Sequence, residues 1–327
     1  MKQLLKHSRV LITGGAGFIG SSLVESMLEA GNFVVCLDNF ATGKRENLMG
    51  FMNNPRFRLI EGDIRNYTDC EKATEGIDFV FHQAALGSVP RSIKDPATST
   101  DVNIGGFVKM LFAAKEAKVK RFIYAASSST YGDHPDLPKV EEKIGKPLSP
   151  YGITKYVDEL FAANFASAYG IDVIGLRYFN VFGRRQDPYG AYAAVIPLFV
   201  KKLMKHEAPV INGDGLNSRD FTYIDNVIQA NHLASLVTDK SALNQVYNVA
   251  HGERTNLNEL FDMIKSIIGE FDNEVLDIKP VHGPDRAGDI PHSQASIEKA
   301  KRLLGYLPTH TVKEGMKEAI KWYRVNL

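Results

Sequence analysis

Only two cysteines, Cys36 and Cys70, occur in the 327 residues, far apart and without the spacing of metal ligands. A disulfide framework and a structural zinc site are thereby disfavoured, leaving two inert core or near-core thiols in a reducing compartment. Charge of one sign is equally scarce: 39 basic and 38 acidic residues leave a formal charge of +1, with no polybasic tail and no long acidic block. That removes the electrostatic footprint of a nucleic-acid or membrane-surface binder. No apolar run approaches the ~20 residues a membrane helix needs, and the chain passes from Met1 through Lys6 and Arg9 into an apolar strand. The expectation is a soluble cytoplasmic protein with no metal. Internal repeats and low-complexity linkers are also missing.

What is present is an alternation. Short β-branched and aromatic runs at Val10–Thr13, Phe33–Leu37, Phe57–Ile60, Phe79–Phe81, Phe122–Ala125 and Val173–Leu176 are separated by helical patterns at Ser21–Ala30, Val102–Lys118 and Tyr151–Tyr169. This predicts an α/β fold with a Rossmann-type, doubly wound parallel sheet. Gly31 is a helix stop, and Ser149-Pro150 is a helix start with Ser149 as N-cap. Beyond about Phe179, loops rich in glycine and proline separate helical patterns at Tyr192–Lys205 and Asp225–Val237. We therefore expect two lobes, a dinucleotide-binding domain over 1–178 and a smaller mixed α/β substrate lobe over 179–327. A strand near 245–250 is expected to return to the parent sheet.

The first strand runs into Thr13-Gly14-Gly15-Ala16-Gly17-Phe18-Ile19-Gly20, with glycines at 14, 17 and 20. Glycine there lets backbone approach a pyrophosphate, whose charge the free N–H groups of the following helix attract. Asp38 closes the second strand where a ribose-binding acid belongs, and a carboxylate at that point repels a 2′-phosphate, which selects NAD over NADP. Lys44 and Arg45 lie close by and could argue the other way; they read better as a solvated loop. The same cofactor is expected to meet Phe18, Ile19, Asn39, Asp63 and Ile64, then Ala84 and Ala85 after the fourth strand, and Asn103.

Tyr151 and Lys155 stand four apart on a helix and so share a face. A free phenol titrates near ~10, and an adjacent ammonium favours the phenolate. Lys155 can also hold the nicotinamide ribose. The hydroxyl run Ser127-Ser128-Ser129-Thr130 ends the preceding strand, and Ser128 is the choice for holding the substrate oxygen. The combination reads as a site that oxidises an alcohol to a ketone.

Over essentially its entire length the chain resembles the extended short-chain dehydrogenase/reductases, and within them the nucleotide-sugar 4-epimerases, especially those acting on UDP-N-acetylglucosamine. The segments carrying the resemblance are Ala84-Ala85-Leu86-Gly87-Ser88-Val89-Pro90-Arg91-Ser92, Ala125-Ala126-Ser127-Ser128-Ser129-Thr130-Tyr131-Gly132 and Arg177-Tyr178-Phe179-Asn180-Val181-Phe182-Gly183-Arg184-Arg185-Gln186-Asp187-Pro188. The resemblance implies C4 epimerisation of a UDP-hexose through a transient ketone, with NAD held tightly and regenerated each turnover, in a homodimer built from helices of the cofactor lobe. It implies that Asn180 holds the diphosphate or sugar, that Arg219 and Arg286 pair with phosphate, and that Asp289 takes the uridine ribose. Ser129 is expected to join Ser128 at the sugar. Ser293 stands at a gatekeeper position where a tyrosine would restrict the pocket, and with Gly87, Ser88 and Ala194 it leaves room for a 2-acetamido group. UDP-glucose and UDP-glucuronate remain alternative substrates. A 4,6-dehydratase or a uronic-acid decarboxylase would begin with the same oxidation, but the dehydratases carry an Asp-Glu pair where this chain has Ser129 and Thr130. A dinucleotide sensor without chemistry would be expected to lack the tyrosine or lysine.

Overall fold

Every residue of the run Val173–Tyr178 is buried, as in a strand covered on both faces. The structure, a computed structural model, describes residues 3–190, 193–284 and 290–327. Its first half alternates β1 (Arg9–Thr13), α1 (Phe18–Glu29), β2 (Phe33–Asp38), β3 (Phe57–Glu61), α2 (Tyr67–Thr74), β4 (Phe79–His82), α3 (Val89–Lys94), α4 (Pro96–Thr100), α5 (Phe107–Glu116), β5 (Arg121–Ser127), α6 (Pro150–Tyr169) and β6 (Val173–Tyr178). All six expected strands form. The helix expected over Val102–Lys118 is instead a π-helical turn, Asp101–Gly106, leading into α5. Two short helices precede it that apolar periodicity did not reveal. Ser88 and Asp95 cap them, and Pro90 and Pro96 occupy their first turns.

The second half contains β7 (Val181–Phe182), α7 (Val195–Leu203), β8 (Val210–Asn212), β9 (Ser218–Arg219), β10 (Thr222–Tyr223), α8 (Ile224–Leu236), β11 (Gln245–Val249), β12 (Thr255–Asn256), α9 (Leu257–Gly269), β13 (Val281–Gly283), α10 (Glu298–Leu304) and α11 (Val312–Asn326). β11 lies parallel beside β6, giving a seven-stranded sheet in the order β11-β6-β5-β4-β1-β2-β3. The order in which strands are added to the sheet reverses between β1 and β4, and a crevice at the carboxyl ends of those strands is where a doubly wound sheet binds ligands.

Alternation along each strand sends side chains to two cores. Val10 and Ile12 face a cluster that continues through Leu23, Ile224, Leu260 and Met316, while Leu11 faces Val80, Phe107 and Phe122 on the other side. Helix ends follow local chemistry. Gly31 takes φ +86° after α1 and Gly170 φ +71° after α6, conformations costly for residues with a Cβ. Cys36 and Cys70 are free and buried, and burial pushes the Cys70 thiol up to about 12. Among the described residues no helix is long and apolar enough to cross a membrane.

Candidate active site

Two clefts, of about 530 and 650 Å³, open at the carboxyl edge of the sheet. Both fall in the size range of small-molecule sites. Gly87, Asn180, Val181 and Gln186 line both, so the clefts meet there.

Gly14, Gly17, Phe18, Ile19 and Gly20 form one wall of the first cleft. Gly17 is the N-cap of α1 and no side chain caps the helix, so its first-turn N–H groups face the cleft uncompensated. The turn has no room for side chains: a Cβ on Gly14 would stand 2.8 Å from the Ala84 backbone, and one on Gly20 2.1 Å from the Gly14 carbonyl oxygen. This is a cradle shaped for phosphate oxygens.

Asp38 ends β2 on the same cleft, with its carboxylate accepting the Ala16 and Phe40 N–H groups at 2.8 Å each. Burial raises its pKa, opposed by those two bonds. Lys44 is paired with Asp187 at 2.9 Å and Arg45 with Glu61 at 2.6 Å, so both cations near Asp38 already have carboxylate partners. These residues fit NAD: the Asp38 carboxylate and the uncapped start of α1 line the same cleft.

Of the residues expected to meet the cofactor, Asn39, Ile64, Ala84 and Ala85 line this cleft, whereas Asp63 does not. Its carboxylate is gripped by Arg65 at 2.7 Å and by Asn39 at 2.9 Å, and chiefly the Arg65 bond holds its pKa down to about 2. Asp63 thus orders its neighbours at the rim. Asn103 also stands behind the lining. It accepts from the Leu86 N–H at 2.8 Å and donates to the Thr154 hydroxyl at 3.1 Å, tying the Ala84–Gly87 loop to α6.

Tyr151 and Lys155 both reach the first cleft from α6, whose start is set by Ser149 accepting from Gly152 N–H at 3.1 Å. The Tyr151 N–H donates to Ser92 Oγ of α3 at 3.0 Å. Lys155 is buried, and its ammonium donates to the Ala125 carbonyl at 3.0 Å and to Asp158 at 3.2 Å. Of the hydroxyl run Ser127-Ser128-Ser129-Thr130, Ser127 lines the cleft, whereas Ser128 was chosen from sequence. β5 runs on to Ser127, which shares the face of Ala125, and Ser128 begins a tight 3₁₀ turn capped by the Ser127 hydroxyl. Neither Ser128 nor Ser129 is part of the lining.

Ser88, Ala194 and Arg219 line the second cleft with the shared Gly87 and Asn180. Ala194 is the N-cap of α7 and leaves that helix without a side-chain cap, so a second uncompensated helix start faces a ligand space. Arg219 donates to the Ser218 and Pro291 carbonyls at 2.9 and 3.1 Å. Asn180, with φ +34°, donates to the Asp220 carbonyl at 3.1 Å. Ser293 is half-buried with its N–H on the Ser218 carbonyl at 3.0 Å, outside the lining. Arg286 and Asp289 lie outside the described residues.

Gln83, Tyr178 and Gln186 also line the first cleft and were not expected. Gln83 and Tyr178 sit at the carboxyl ends of β4 and β6, so the rule that ligands gather at strand ends would have found them. Gln186 had no comparable signal.

The chain is similar to known proteins along nearly its whole length. The NAD dependent epimerase/dehydratase family matches residues 10–250. A UDP-glucose 4-epimerase of Mycolicibacterium smegmatis is 33% identical over 97% of this chain and 98% of its own length. A UDP-N-acetylglucosamine 4-epimerase from Methanobrevibacter ruminantium, solved with UDP-N-acetylmuramic acid, superposes with a TM-score of 0.92 at 37% identity, covering 99% of this chain and all of that one. A UDP-glucose 4-epimerase of Thermotoga maritima, solved with UDP-glucose, gives 0.90 at 37% identity, covering 97% and 99% of the two chains.

Proposed function

Because this chain belongs to the NAD dependent epimerase/dehydratase family, we propose that it is a UDP-hexose 4-epimerase acting on the UDP-N-acetylglucosamine/UDP-N-acetylgalactosamine pair. The observation that carries this reading is the junction of the clefts. Tyr151 and Lys155 line the first cleft together with Gly87 and Asn180, which the second cleft shares, so a sugar held by its nucleotide in the second cleft would enter the first.

NAD, when bound, supplies the hydride acceptor for C4 and returns the hydride to it. Tyr151 takes the proton from the C4 hydroxyl, and Ser127 holds that oxygen. Lys155, with two of its three N–H bonds satisfied by Ala125 and Asp158, has one left for the cleft. Arg219 and the first turn of α7 hold the diphosphate, so the sugar can turn and present its other face while the nucleotide stays in place. Proton and hydride both return to the sugar, and no net NADH forms.

Support for the acetylated pair is the small size of Gly87, Ser88 and Ala194 in the second cleft. We place the enzyme in the cytoplasm, which suits its free, buried thiols. We propose a homodimer through α5 and α6, where Phe112, Ile153, Leu160, Phe161 and Tyr169 are exposed. The test is to supply UDP-N-acetylglucosamine, UDP-glucose and UDP-glucuronate separately and compare initial rates. Accumulation of NADH would overturn the epimerase reading, and a faster rate on either other sugar would overturn the substrate.

A further inference from the structure

Asp158 lies one turn beyond Lys155 and two beyond Tyr151 on α6 and is fully buried. One carboxylate oxygen takes a bond from the Lys155 ammonium at 3.2 Å, and the other is buried with no hydrogen-bond partner among the described residues. The ammonium is held on its other side by the Ala125 carbonyl of β5. A carboxylate left half-satisfied in a dry site is costly, and that cost calls for a reason.

We propose that Asp158 is a positioning residue of the catalytic helix, which clamps the Lys155 ammonium against Ala125 and counter-charges it, so that its own protonation sets how strongly Lys155 favours the Tyr151 phenolate. Burial pushes the Asp158 carboxyl up to about 7, with Lys155 pulling the other way. The other charges around it do not take over this role. Glu159, next on α6, is fully engaged by Arg177 of β6 at 2.7 and 2.8 Å. Tyr124 of β5 faces the pair as a neutral phenol, and His82 of β4 faces Lys155 as a neutral imidazole, each kept uncharged by burial.

The consequence is a coupled titration. With Asp158 protonated, the Lys155 charge is unopposed and the phenolate is favoured. Once Asp158 ionises, part of that attraction is cancelled. The two ionisations oppose each other and spread the Tyr151 titration over a wider pH range than one proton requires.

This inference rests on Tyr151 being the proton-abstracting group, and the test reads the phenol itself, so failure of epimerisation and failure of the coupling are distinguishable. The NAD-loaded protein is titrated by tyrosinate absorbance, taking wild type minus Tyr151→Phe, and Asp158→Asn minus the Asp158→Asn/Tyr151→Phe double variant. The expected wild-type difference curve is broader than a one-proton curve. The Asp158→Asn curve should be a one-proton curve displaced to lower pH by about one unit. Equal midpoints and widths would overturn the inference. If Asp158→Asn does not fold, the wild-type curve decides alone, since a one-proton shape there would also overturn it.

Discussion

Gly20 packs against Gly14 so closely that a methyl group on Gly20 would stand 2.1 Å from the Gly14 carbonyl oxygen and 2.8 Å from the Gly15 Cα. The contact seats the first turn of α1 on the end of β1, and that seating aims the uncapped N–H groups into the first cleft.

Gly20→Ala should therefore separate the helix from the turn. Overpacking against rigid backbone costs about 1–3 kcal/mol, and displacement of the N–H groups should weaken NAD binding roughly tenfold or more. Gly50→Ala, with nothing within 4 Å of the added carbon, serves as the control. Fluorescence titration with NADH measures both, and equal affinities would contradict the cradle.

Ser127 and Ser128 differ by one residue and should differ greatly in consequence. Loss of a group that holds the reacting oxygen costs on the order of 10²–10⁴ in turnover. Ser127→Ala should fall in that range, whereas Ser128→Ala, outside the cleft, should stay within severalfold of wild type. Initial epimerisation rates decide it, and the reverse order would restore Ser128 as the active hydroxyl.

His82 gives the sheet a dependence on pH. Its ring meets Thr13 Oγ1 at 3.0 Å and packs against Phe107 and Phe122, and burial holds its pKa down to about 3. The unfolded chain, with an ordinary imidazole near ~6.5, binds a proton that the native state refuses between those values. Stability from this group is complete above about 6.5 and is lost progressively as pH falls toward 3. In urea unfolding at pH 7, 5.5 and 4, wild type should lose ground to His82→Gln as pH drops. A difference that stays constant across the three would mean His82 does not titrate as described.

Where local chemistry sufficed, sequence and structure agree closely. Ser149, Pro150, Gly31 and the glycine turn act through bonds a few residues long, and they do in the fold what their types require. Asp38 is legible for the same reason, being fixed by the end of β2. Asn103 was expected at the cofactor and instead braces Leu86 against Thr154, contacts 17 and 51 residues away. Lys44 and Arg45, read as solvated, are exposed, and they also pair with Asp187 and Glu61. Such partners are chosen by the packing of separate segments, which spacing along the chain does not encode.

The alternation of strands and helices, the tight glycine turn and the shared helical face of Tyr151 and Lys155 were all legible in the chain, because each depends on backbone periodicity and short-range sterics. That Ser127 lines the cleft, that two clefts share Asn180 and that Asp158 lies buried against Lys155 follow from packing between distant segments. Moving a strand's end by one residue reverses the direction of a side chain, and burial depends on distant elements closing over a site. Those are properties of the packed sheet.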